Sequence, residues 1–123
     1  MRHDEANFQI GVVRALKFAG HFVFAVPNGG SRNLIEARNL KAQGVMAGVS
    51  DLILLLPSRK VYFIELKNPN GKGRQSPAQC EFEDSVRAMG HEYLIWDKWA
   101  QVEQFIDAHR KEVGNFLAVG SSI

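Results

Sequence analysis

Residues 48–67, GVSDLILLLPSRKVYFIELK, constrain this chain more than any other stretch. They read as two apolar strands joined by a turn. Leu52 to Leu56 is an unbroken apolar run, the pattern of a strand buried on both faces. Pro57-Ser58-Arg59-Lys60 is turn chemistry, and Lys60 to Lys67 carries β-branched and aromatic residues that suit a second strand. Strand side chains alternate with period two, so Val61, Phe63, Glu65 and Lys67 share one face, and Tyr62, Ile64 and Leu66 take the other. With the turn centred on residue 58, antiparallel pairing sets Asp51 opposite Glu65 at the open end of the hairpin. Such a pair has Cβ atoms roughly 4.5–5.5 Å apart.

Two carboxylates that close repel unless a positive group lies between them. A divalent cation is the natural occupant, because Mg²⁺ is commonly held by one or two carboxylates, waters and phosphate oxygens. Lys67, one step along the same face, would reach a water or phosphate beside it. The plainer reading makes Asp51 a strand-entry residue, and Glu65 with Lys67 an exposed ion pair at a sheet edge. The convergence of these charges at one end of two strongly apolar strands favours the metal site.

Asp51 followed by Glu65-Leu66-Lys67 across a hairpin resembles the PD-(D/E)XK nuclease motif. The wider pattern is similar to the VRR-NUC branch of that superfamily, in its stand-alone, virus or prophage form. Glu5 matches an early helix glutamate, Gly48-Val49-Ser50-Asp51 a Gly-x-Pro-Asp turn, and Gln79 a glutamine opening the next helix. The resemblance spans about residues 4 to 97 of a single domain, 1–123. Ser50 departs from the family's proline, which would stiffen the turn but adds no chemistry.

Bulk properties narrow the classes. At 123 residues, 46% hydrophobic and 23% charged, the chain suits one domain with a packed core. Net charge +2 permits nucleic-acid binding without arguing for it. The single cysteine, Cys80, excludes an internal disulfide and a multi-cysteine zinc site. No signal-like leader and no membrane-length apolar run is read, so the expectation is a soluble, cytoplasmic protein with no membrane partner.

Residues 4 to 19 read as an amphipathic helix, with Asp4 as N-cap, Gly20 after its last turn, and Phe8, Val12, Ala15, Leu16 and Ala19 inward. Glu5 extends that stripe. It is either a first-turn acid favoured by the helix dipole or, by the resemblance, a further metal ligand. His21 to Val26 is a strand, and Pro27 to Gly30 stops it. Ser31 caps a helix to about Gln43 that bears Arg32, Arg38 and Lys41, read either as a solvated face or as contacts to a phosphate backbone. Gly44 and Gly48 leave the following turn little bulk, open to an approaching nucleic acid.

After Lys67, residues 68–75 read as a flexible basic loop whose Lys72 and Arg74 suit phosphate steering. It lacks P-loop spacing, so no nucleotide triphosphate is expected. Ser76-Pro77-Ala78-Gln79 is a capping box. That accounts for Gln79 structurally, and the resemblance gives it a competing role beside a metal-bound water or phosphate. Phe82, Val86 and Met89 face inward on this helix, His91 to Trp96 is a strand, and Trp99 to His109 is a last helix with Trp99, Val102, Phe105 and Ile106 inward. Residues 111–123 are a loose tail or an oligomer contact. The four histidines show no metal-ligand spacing, and Ser58 and Cys80 lack triad partners.

This order suits an α/β protein with a mixed central sheet and helices on both faces, and the resemblance implies a restriction-endonuclease-like core. It further implies a DNA nuclease dependent on Mg²⁺ or Mn²⁺. Asp51, Glu65, the Leu66 carbonyl and Glu5 would serve the metal, and Lys67 and Gln79 the catalysis. It also implies a homodimer acting on branched, flap or four-way DNA, as repair nucleases do. The alternative is a non-catalytic DNA-binding or protein-interaction module on a nuclease scaffold.

Overall fold

The computed structural model describes residues 2–27 and 33–120. The elements run α1 (Arg2–Phe18), β1 (Phe22–Ala25), α2 (Leu34–Ala42), β2 (Leu52–Leu56), β3 (Lys60–Leu66), α3 (Pro77–Ala88), β4 (Glu92–Trp96) and α4 (Trp99–Gly120). The four strands form one mixed sheet in the order β1-β2-β3-β4. β1 and β3 each pair antiparallel with β2, while β4 joins β3 in parallel, a connection that needs a crossover and has α3 as its helix. The register Leu52↔Ile64 through Leu56↔Lys60 is that of a hairpin centred on residue 58. Ser58 and Arg59 both take left-handed backbone there, at φ 72° and 67°.

The core lies on one side of the sheet. Leu52, Leu54, Leu56, Tyr62, Ile64, Leu66 and Trp96 pack there against Val12 and Leu16 of α1 and Val102, Phe105 and Val113 of α4. Burial of each large side chain contributes about 1.5–3 kcal/mol. The other side is covered only in part. Phe63 meets Phe82 of α3 edge-on, whereas Phe22, Phe24 and Leu55 remain exposed. β2 is therefore fully buried on one face and not both: Leu52, Leu54 and Leu56 are buried, whereas Ile53 is half-buried and Leu55 exposed.

Other boundaries differ from the sequence reading. α1 begins at Arg2, so Asp4 lies within its first turn instead of capping it. Ser31 and Arg32 lie outside the described residues, and Asn33 is the N-cap of α2, accepting from the Glu36 N–H. Met89 and Trp99 are largely exposed, Trp99 meeting Phe8 edge-on. α4 runs on through residues 111–120, where Val113 is buried; helical continuation of the core stripe, not a loose tail, accounts for this segment.

His21 is buried against Phe105, and its Nδ1 has no hydrogen-bond partner among the described residues. Burial, then the charge of His109, hold its pKa below 6.5, with Glu112 opposing. Below 6.5 the unfolded chain binds more protons at this position than the folded one. The stability it contributes is thus complete above that pH and is lost as pH falls through the folded pKa. His21→Leu is expected to shrink the drop in melting temperature between about pH 7 and 5. An unaltered drop would contradict this.

Candidate functional site

The open end of the β2–β3 hairpin gathers the acidic residues. Asp51 immediately precedes β2, its carbonyl accepting from the Val26 N–H at 2.8 Å. Its carboxylate Oδ2 accepts from the Leu66 N–H at 2.6 Å, which fixes the side chain across the end of β3. The Asp51 carboxyl is raised above its ordinary 3.8, first by burial. The charges of Glu5 and Glu65 add to this, while the Leu66 hydrogen bond and Lys67 oppose it. Glu5 is exposed in the first turn of α1, yet stands close enough for its charge to act on Asp51.

Glu65 is completely buried. Its Oε1 accepts from the Tyr93 hydroxyl at 2.6 Å and from Gln75 Nε2 at 3.0 Å. Among the described residues its Oε2 accepts no hydrogen bond, and Lys67 Nζ, at 3.2 Å, is the cation beside it. Lys67 directs hydrogen bonds elsewhere, to Gln79 Oε1 at 2.9 Å and the Arg74 carbonyl at 3.0 Å. A buried carboxylate oxygen without a donor is costly. Burial and the neighbouring Glu65 also hold the Tyr93 hydroxyl well above its ordinary pKa, so it stays a donor.

Gln79 makes the capping box that the sequence predicts and also reaches Lys67. Its Oε1 accepts both the Ser76 N–H at 2.8 Å, completing the capping box, and the Lys67 ammonium. The start of α3 is locked to the Asp51 turn through Gly48, which has φ 84° and where a β-carbon would overlap the Ala78 carbonyl. Space at Gly48 therefore admits α3 rather than a nucleic-acid backbone; Gly44, by contrast, faces open space. The loop after β3 is also more ordered than its composition suggests. Asn68 and Asn70 side chains accept from the N–H groups of Asn70 and Lys72, a local turn chemistry.

Two solved structures share this architecture. One, a VRR_NUC domain, superposes with a TM-score of 0.62 at 20% identity, over 85% of this chain and 95% of its own. The chain has the VRR-NUC fold. A second, a VRR_NUC domain protein, gives a TM-score of 0.64 at 22% identity, over 90% of this chain and 88% of its own. No family model matches the sequence, and no curated protein is significantly similar to it. The expected α/β, restriction-endonuclease-like core with a mixed sheet is borne out.

On this VRR-NUC fold, Asp51, Glu65, Leu66, Lys67 and Gln79 form one connected cluster, with Glu5 at its margin. Among the described residues, no group of three or more His, Cys, Asp or Glu converges tightly enough to hold a metal ion. Asp51 and Glu65 with a backbone carbonyl would suit such an ion, because the buried Glu65 Oε2 accepts no hydrogen bond among the described residues and has the Lys67 ammonium, 3.2 Å away, as its charged neighbour. Lys72 and Arg74 are exposed on the loop beside Lys67. Arg38 and Lys41 are exposed on α2, and the structure brings neither into contact with the acids. A groove of about 550 Å³ runs between the start of α1 and the loop, lined by Asp4, Asn7, Phe8, Asn68, Pro69 and Asn70.

The sequence reading missed Gln75 and Tyr93. Gln75 looked like loop, and Tyr93 like a core strand residue. Only the parallel pairing Phe63↔Tyr93 puts that ring beside β3, on the face that carries Glu65. No helix among the described residues is long and apolar enough to cross a membrane.

Proposed function

We propose that this chain is a divalent-metal-dependent nuclease that hydrolyses phosphodiester bonds in DNA. The observation that carries the reading is the bare, buried Oε2 of Glu65, flanked by the raised Asp51 carboxyl and the Lys67 ammonium. Asp51, Glu65 and the Leu66 carbonyl would hold Mg²⁺ or Mn²⁺, and Glu5 would hold a second ion or a coordinated water. Such an ion, when bound, supplies an acidified water and a polarised phosphoryl oxygen. Lys67 orients the attacking water and offsets charge growing on the phosphate. Gln79 and the Arg74 carbonyl hold the ammonium in place for this. Lys72, Arg74, Arg38, Lys41 and Arg32 contact the DNA backbone, an electrostatic role that needs exposure and not mutual contact.

The substrate class that the family resemblance suggests is branched, flap or four-way DNA, and a 123-residue chain has little surface to grip two duplex arms unless it acts as a homodimer. Exposed Phe18, Phe22, Phe116 and Leu117 support a second copy docking at the hairpin-turn end, away from the acids. A monomer by light scattering at working concentration would remove the dimer from this proposal. The rival, a non-catalytic module, draws support from the Lys67–Glu65 contact, which neutralises Glu65 without an ion.

Incubation with single-stranded, duplex, flap and four-way DNA in Mg²⁺, Mn²⁺ or chelator separates these readings. The nuclease cuts at least one substrate with metal and none in chelator. Retention of DNA without cutting under every condition would establish the rival.

A further inference from the structure

Glu65 is held from behind by a closed circuit of hydrogen bonds. Its Oε1 receives the Tyr93 hydroxyl and Gln75 Nε2, and the same Gln75 nitrogen donates to Glu83 Oε1 at 2.9 Å. Arg87 Nε donates to Glu83 Oε2 at 2.7 Å, and its NH2 group donates to the Tyr93 carbonyl at 3.1 Å. The Arg87 guanidinium also lies over the Tyr93 ring, 5.8 Å from its centroid. Glu65 is thus tied to the middle and the C-terminal turn of α3, at Glu83 and Arg87, through partners from the preceding loop and from β4.

We infer that Tyr93 and Gln75 are positioning residues, which occupy Oε1 of Glu65 so that Oε2 is the oxygen left for a divalent cation. This rests on the metal-site reading above. The terminal torsion of a glutamate is soft and roughly two-fold. Without its rear donors the carboxylate turns to share both oxygens with Lys67, and the ion's place is lost to the ammonium. Hydrogen-bonding groups behind a metal ligand typically change metal affinity by about 10–100-fold. Tyr93 is suited to this because it is buried, with its hydroxyl directed at Glu65.

The test is Mn²⁺ titration by calorimetry on wild type, Tyr93→Phe, Gln75→Ala and Glu65→Gln, with melting temperatures in chelator. Tyr93→Phe and Gln75→Ala are expected to bind Mn²⁺ about 10-fold more weakly than wild type. Wild-type affinity in both would overturn the positioning role and leave the metal site standing. A loss of melting temperature with unchanged affinity marks a merely structural role and also overturns it. Wild-type Mn²⁺ binding that is absent, or indifferent to Glu65→Gln, would overturn both readings. Should Tyr93→Phe fail to fold, Gln75→Ala, at a partly exposed position, carries the same readout.

Discussion

Lys67→Ala leaves DNA bound and uncut. Loss of a preorganised charge at a reacting phosphate typically costs about 10²–10³ in rate, and DNA retention in Ca²⁺ should change little, since many other cations remain exposed. The same substitution strips Glu65 of the cation paired with its Oε2. Removing one partner of a buried pair costs about 3–5 kcal/mol. The melting temperature in chelator should fall accordingly, and Mn²⁺ should restore more of it in the variant than it adds to wild type. A variant that cuts at the wild-type rate would remove Lys67 from the chemistry.

Gly48 and Gly44 make a matched pair for the second large effect. Both have left-handed backbone, at φ 84° and 103°, so alanine at either meets the same backbone penalty of about 1–2 kcal/mol. They differ in surroundings: a β-carbon at Gly48 collides with the α3 backbone at Ala78 and Gln79, while one at Gly44 meets nothing. Gly48→Ala is therefore expected to lower stability by about 1–3 kcal/mol more than Gly44→Ala, in keeping with overpacking elsewhere. It should also cut activity, because it pushes Gln79 away from Lys67. Equal melting temperatures for the two variants would show that the turn does not brace α3.

The legibility of this site in the sequence followed the range of each interaction. Glu65 and Lys67 share a face by strand alternation, and the turn fixes the register that brings Asp51 to them; both are local and readable. The capping box is likewise written in four consecutive residues, Ser76 to Gln79. Tyr93 is different, because its contact with Glu65 depends on a parallel pairing across α3, which periodicity cannot specify. The apolar run Leu52–Leu56 misled for a related reason: it says that both faces are apolar, not that both are covered. Residues 111–123 read as a tail or an oligomer contact because they mix apolar residues with glycine and serine, yet α4 continues to Gly120 and Val113 keeps the buried stripe going. A glycine inside a helix costs only about 1 kcal/mol.

Calorimetric titration of Mn²⁺ into wild type, Asp51→Asn and Glu65→Gln, without DNA, bears most directly on whether the hairpin's acids act together on an ion. Saturable binding in wild type, lost in both variants while each keeps a cooperative thermal melt, is the expected result. Binding that persists unchanged in either folded variant would contradict it.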